Sequence, residues 1–353
     1  MGMPEVAVTF TEKAATAVKR GDRGIIGMIL KDEIYKSSGL TVLSISDIPK
    51  TMKAENKEQI KIALKGYQNV PKKIIVYILD PDAEDYESAL TYFEVNKVNY
   101  LVIPTVETDG KNDDVVTWVK EQRDNGNMIK AVLPNVKADC EGIINYTTNW
   151  VQEEENKYTA EQYCARIAGI LAGTPTRISA TYAPLPELTD CHKLSKEDRD
   201  KAVDNGEFIV WWDGEKVKTG RAVTSFVTTT EEKGKQFKKI KIVEAMDMMK
   251  EDITSTIEDD YIGKFENSWP NKCLLISAVL GYFKKLQDEG IVKEYSVDID
   301  TDAVAAYLKE SGKDISEMSD DEIRQADTGS KVFLKASVKI YDVIEDVYIP
   351  IAI

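Results

Sequence analysis

Several stretches of this 353-residue chain carry residue types that do chemistry in other proteins, and spacing decides whether they can do it here. Gly21, Gly24 and Gly27 stand at intervals of three. A dinucleotide loop needs G-x-G-x-x-G at the start of a helix, so that backbone N–H groups meet a pyrophosphate. Here the spacing differs and the run opens onto GIIGMIL (Gly24 to Leu30), which reads as a strand. Backbone freedom at a domain entry is the simpler role. Gly263-Lys264 fails as a phosphate loop, because Glu258 stands five residues earlier and Phe265 replaces the metal-binding Ser or Thr. Asp298, Asp300 and Asp302 have the first spacing of an EF-hand loop. Ala303 then stands where Gly makes the sharp turn, and Lys309 where a bidentate Glu is needed. The segment is expected to be a solvated acidic loop. From Asp298 to Asp327 it carries 10 acidic and 3 basic residues, nearly half of the chain's net −15.

Cys191 and His192 are neighbours, which turns their side chains apart, and no third group orients them as a nucleophile–base pair. His192 is the sole histidine, so metal sites built on several imidazoles are excluded. Cys140, Cys164, Cys191 and Cys273 form no CxxC pair and read as reduced, ordinary residues of a cytoplasmic protein. Of the adjacent Trp211 and Trp212, one is expected in the core and one at a rim. No catalytic, cofactor-binding or metal-ligating residues emerge. The charge balance, 46 Lys+Arg against 61 Asp+Glu, opposes a general surface for nucleic acid or anionic lipid. The longest apolar runs fall far short of the ~20 residues of a membrane helix, so no membrane insertion is expected.

One basic feature remains. Lys233, Lys235, Lys238, Lys239 and Lys241 fall in a stretch without any acid. They read either as a solvated edge strand guarded by lysine, or as a stripe that meets an acidic patch on a partner, such as another copy's Asp298–Asp327 segment. The segment from Lys238 to Glu244 alternates and is expected to be a strand.

These features sit on an alternating pattern. Strand windows at Leu40 to Ile45, Lys73 to Leu79, Tyr100 to Ile103, Ile129 to Leu133 and Gly142 to Tyr146 are separated by helical windows at Glu55 to Tyr67, Ala83 to Asn96 and Asp113 to Asn125. A helix from Ala160 to Leu171, rich in alanine and glycine, follows. This predicts βαβ units and a mostly parallel sheet over residues 24–180. Residues 181–340 read as α+β. A hairpin turns at Asp213-Gly214 between Glu207–Trp212 and Lys216–Phe226. Helices at Ala245 to Tyr261 and Pro270 to Gly290 follow, then strands at Tyr295 to Ile299 and Lys331 to Tyr341.

Both ends are apolar and strand-like. An arm over residues 1–23 carries Val6, Val8 and Phe10, and residues 341–353 end in Val347, Tyr348, Ile349, Ile351 and Ile353. Such ends need a partner strand in their own sheet or in another subunit. Two of them in one chain favour exchange.

The segments RGDRGIIGMIL, ARIAGILAGTP, ISATYAPLPEL, DNGEFIVWWDGEKVKTGRAVTSF and KKIKIVEAMDMMKEDITSTIEDDYIGKFENSWPNKCLLISAVLGYFKKLQDEGIV resemble contractile tail sheath proteins over nearly the whole chain. The resemblance extends to the sheaths of myophage-like defective prophages and of R-type bacteriocins of the diffocin type. It implies an α/β domain inserted ahead of an α+β sheath core domain, with strand arms at both termini and no cofactor. It further implies six-fold rings stacked in a helical sheath around an inner tail tube, with baseplate and tail terminator proteins as further partners. Assembly in the bacterial cytoplasm and a place in a released phage tail or bacteriocin are expected. Val6, Val8, Phe10 and Val347 to Ile353 are then the donor arms, and Val332, Leu334, Ala336, Val338 and Ile340 the recipient strand. Lys235, Lys238, Lys239 and Lys241 are the candidate charge contacts. The other reading is a cytoplasmic α/β enzyme or ligand-binding protein, which would need a site at the strand ends that no motif supplies.

Overall fold

A computed structural model describes residues 17–353. These residues divide into two compact units. The larger comprises Gly21–Glu251 and Asp342–Ile353, and the smaller residues 17–20 and Asp252–Tyr341.

In chain order the larger unit runs β1 (Ile25–Lys31), β2 (Ser38–Val42), α1 (Ala54–Leu64), β3 (Lys73–Leu79), α2 (Glu87–Val95), β4 (Tyr100–Val102), α3 (Asn112–Asp124), β5 (Lys130–Pro134) and β6 (Ile143–Tyr146). It continues through β7 (Trp150–Glu153), β8 (Asn156–Thr159), α4 (Ala160–Ala172), β9 (Asp190–Cys191), α5 (Lys196–Asp204), β10 (Glu207–Phe208), β11 (Val210–Trp212), β12 (Val217–Thr219) and the first part of α6 (Ile240–Asp260). Seven strands form one sheet in the order β10-β6-β5-β4-β1-β3-β2, parallel throughout except for β2 at one edge.

The unbroken apolar run of β1 suits its central place, because helices cover both faces of the sheet. Ile26, Met28 and Leu30 join α1 and α4 in one core, whereas Ile25 and Ile29 join α2 and α3 in the other. The glycine run has structural reasons. Gly24 has φ +77°, and a Cβ there would lie 2.6 Å from the Ala172 carbonyl oxygen. A Cβ on Gly27 would strike the Phe93 ring. The tight packing expected of the alanine- and glycine-rich helix also appears, since Gly169 of α4 rides against the Ala63 backbone of α1.

Two expected strands are different in the fold. Lys238 to Glu244 is a turn of 3-10 helix (Lys235–Lys238) and then α6, beginning at Ile240. The alternating KIKIV covers barely one helical turn. The deciding pattern is the longer one, in which Ile240, Val243, Asp247 and Met248 are all buried at helical spacing. The hairpin at Asp213-Gly214 forms, but its second strand stops at Thr219. Glu207 and Phe208 leave the hairpin to pair with β6 in the large sheet.

The smaller unit holds the end of α6, then α7 (Trp269–Asp288), β13 (Val292–Ile299), α8 (Thr301–Glu310), α9 (Asp320–Gln325) and β14 (Leu334–Ile340). The acidic segment is therefore folded and not an open loop. Asp300 caps α8 by accepting from the Ala303 N–H, and Ser319 with Glu322 forms a capping box on α9. Aspartates and glutamates in these first turns favour the positive helix ends. Around α8 and α9 a small cluster buries Ile299, Val304 and Leu308 among half-covered rings such as Trp269, Tyr307 and Phe333, while α7 buries Val279, Tyr282, Phe283 and Leu286. Among the described residues no helix is long and apolar enough to cross a membrane.

Candidate inter-subunit site

The antiparallel pair β13–β14 is a sheet of two strands, so among the described residues each strand has one edge without a neighbour. Register puts Tyr295, Val297 and Ile299 beside Val338, Ala336 and Leu334, so one apolar face spans both strands. β13 is covered: Val297 and Ile299 are buried, and the Tyr295 ring lies 5.9 Å from that of Phe283 on α7. β14 is not. Leu334, Val338 and Ile340 are only half-buried, Ala336 is exposed, and Val332 just ahead of the strand is exposed too. Beside Val332 and Leu334 opens a groove of about 880 Å³, lined also by Ile257, Tyr261, Phe265 and Leu275. The proposed recipient strand is thus an apolar face with half its cover.

The expected donor residues at the carboxy end have no cover either. Val347 to Ile353 takes no regular secondary structure and pairs with no described strand. Tyr348 is 89% exposed and Ile351 81%. Val6, Val8 and Phe10 lie outside the described residues.

The lysines do not form one stripe. Lys235 is exposed, Lys238 half-buried and Lys241 buried. Burial lowers the Lys241 pKa against the opposing pull of Asp342. Lys239 is paired with Asp342 and, at 3.1 Å, with Glu345, both at the root of the carboxy-terminal tail. Burial alone would lower the Lys239 pKa, but these carboxylates outweigh it and raise it. Arg221 adds a 2.6 Å contact to Asp346, and the Thr181 hydroxyl donates to Glu345 at 2.8 Å. Lys233 turns elsewhere, to Glu141 at 2.9 Å.

A further charge network was not foreseen. Lys130, fully buried at the start of β5, meets Glu244 at 2.8 Å and Asp247 at 2.9 Å, both on α6. Arg123 from α3 grips Asp247 through two nitrogens, at 2.9 and 3.1 Å. Arg23 joins Glu244 and Glu251, and the Tyr100 hydroxyl donates to Glu244. Burial would raise the Glu244 pKa, yet Lys130 and Arg23 hold it down at about 2. The only hint in the sequence was the set of charged residues at core spacing in α6. Their partners lie up to 228 positions away.

Near the strand ends of the α/β sheet, where such folds bind ligands, polar groups of the chain pair with one another. Lys31 reaches Asp109 at 3.0 Å, Tyr86 also donates to Asp109, and Glu161 accepts from the Glu107 and Thr108 N–H groups. Cys191 is buried, which pushes its thiol up to about 11. Asp298 pairs with Arg324 at 2.9 Å. Trp212 packs partly against the main core, and the Arg199 guanidinium covers Trp211 at 4.1 Å.

Two family models match this chain: the phage tail sheath protein central domain over residues 80–225 and the phage tail sheath C-terminal domain over residues 232–353. The tail sheath protein of Clostridium phage phiCD119 is 35% identical over 355 residues, spanning 99% of this chain and 98% of its own. The chain belongs to the phage tail sheath family. Solved sheath structures share its fold. The sheath tail protein of Desulfitobacterium hafniense superposes with TM-score 0.70 at 20% identity, over 84% of this chain and 94% of its own. The helical sheath of the anti-feeding prophage in the contracted state gives TM-score 0.73 at 14% identity, over 100% and 99%. The central-domain match in this sheath protein lies wholly in the larger unit. The C-terminal match takes in β13, β14 and the tail.

Proposed function

We propose that this sheath protein polymerises through exchanged strands into a helical sheath of six-fold rings, which contracts to drive an inner tube through a target cell envelope. The observation that carries the reading is a mismatch inside one chain. Among the described residues β14 has an open edge and a half-covered apolar face, while the tail offers uncovered apolar residues that pair with no described strand. Strand addition satisfies both, since main-chain hydrogen bonds supply the link and alternating side chains the register.

Pro350 sets how the donor can pair. Proline donates no N–H, so its backbone must point away from the recipient. Tyr348 and Ala352 then point outward with it, and Val347, Ile349, Ile351 and Ile353 form the ladder. Val6, Val8 and Phe10 supply the second donor. In this reading the α/β region, residues 24–180, faces outward and residues 181–340 line the tube. The family similarity supports the further partners: tube, baseplate and terminator. Assembly takes place in the bacterial cytoplasm. The work is mechanical and non-enzymatic, with no cofactor, and contraction is a rigid-body rearrangement from a metastable extended array.

Removing residues 347–353, or residues 1–20, should leave a folded chain by circular dichroism that no longer forms tubes in negative-stain microscopy. Wild-type tubes from either truncated chain overturn the proposal.

A further inference from the structure

The last twelve residues divide into two chemically distinct parts. Asp342 to Asp346 carries three carboxylates in five residues, and Val347 to Ile353 carries no charged side chain. Each root carboxylate meets a cation of the larger unit: Asp342 meets Lys239, Glu345 meets Lys239 and Arg221, and Asp346 meets Arg221. The Thr181 hydroxyl adds a bond to Glu345. Apolar packing contributes little, because Ile344 within the root is 88% exposed. The attachment is electrostatic.

We propose that this root is a releasable latch that sets the length of the donor arm. With the latch closed, only Val347 to Ile353 is free, a reach of about 23 Å for an extended strand. With it open, all twelve residues from Asp342 are free, and the reach rises to about 40 Å. This inference rests on the strand-exchange reading above.

The two attachments of the arm differ in strength by design of their chemistry. Glu345 is largely covered, but Asp342, Asp346 and Arg221 keep contact with water, and ion pairs of that kind are individually weak and screened by salt. An added strand is held by several main-chain hydrogen bonds and by buried apolar side chains acting together. Tension on the arm therefore opens the root before it unzips the strand. A subunit can lengthen its arm as a neighbour moves and keep hold of it throughout. Lys239 and Arg221 act here as positioning residues, and the acid-free character of residues 233–241 keeps the root's acids from meeting a repelling charge.

A carbodiimide, which joins a lysine to a carboxylate only in direct contact, tests this on wild-type sheath. The yield of the Lys239–Glu345 cross-link, mapped by mass spectrometry, should differ at least fivefold between extended and contracted sheaths. Equal yields in the two states overturn the latch. A second test fixes it shut. Arg221→Cys with Asp346→Cys, in a Cys273→Ser background, are joined by a reductant-cleavable bifunctional thiol reagent. Linked chains should fail either to assemble or to contract, and reductant should restore the lost step. Linked chains that do both at wild-type yield overturn it. Removal of residues 347–353 separates the two ideas. If that chain still assembles, the exchange reading falls; if it does not, and the cross-link yield is the same in both states, only the latch falls.

Discussion

The two units of this chain finish their sheets differently. In the larger unit, seven strands lie between helices on both faces, and alternate residues of β1 enter two separate cores. Even its charges are enclosed, with Lys130, Arg123, Glu244 and Asp247 pairing inside the fold. In the smaller unit, two strands share one apolar face, and only the strand against α7 is covered. Among the described residues, the first sheet is covered on both faces and the second keeps one strand half-covered. On the strand-exchange proposal, cohesion between subunits resides not in a special residue but in the cover and backbone pairing that β14 lacks among the described residues.

The largest effect should come from the enclosed charges. Asp247→Ala leaves Lys130 and Arg123 buried against a deficit of negative charge, and should cost about 3–5 kcal/mol in urea unfolding. Asp298→Ala, which breaks an exposed pair with Arg324, should cost under about 1 kcal/mol. Similar losses for both would erase the distinction between the units.

Next in size is the core. Leu101→Ala in β4, fully buried, should cost about 3 kcal/mol. A comparable figure is expected from pH. The folded pKa of Glu244, about 2, lies below its ordinary 4.5. Its stabilisation is therefore fully present above about pH 4.5 and is lost as pH falls from there towards 2. It amounts to at most about 3 kcal/mol. Glu244→Gln should flatten the pH dependence of unfolding in that window, and an unchanged profile would remove Glu244 from the network.

The smallest effect on the isolated chain should come from β14. Val338→Ala should cost under about 1 kcal/mol by urea titration, because the side chain is only half-covered there. The same change should reduce tube yield in microscopy several-fold. A large loss of monomer stability would mean that β14 is already complete.

Much of the larger unit could be read from the sequence, because its signals are local. An unbroken apolar run marked β1, and Asp213-Gly214 marked the hairpin. The KKIKIV segment misled because helix and strand periods agree over so few residues, and the burial that decides between them extends on to Met248. The acidic segment hid α8 and α9 behind its charge, although Ser319 and Glu322 stood at capping-box spacing. The buried network was illegible, since Lys130 and Asp247 are joined only by the fold. Of the inter-subunit site, the sequence showed apolar tail and strand, but not that the root's acids would take up Lys239 and Arg221.

The central claim is that β14 is completed by the tail of another copy. Two chains test it, each in a Cys273→Ser background, one carrying Val338→Cys alone and the other Ile349→Cys alone. They are assembled as a mixture and oxidised. The account predicts a disulfide-linked dimer containing one of each chain on a non-reducing gel, lost on adding reductant. Assembled sheaths that yield only monomers would contradict it.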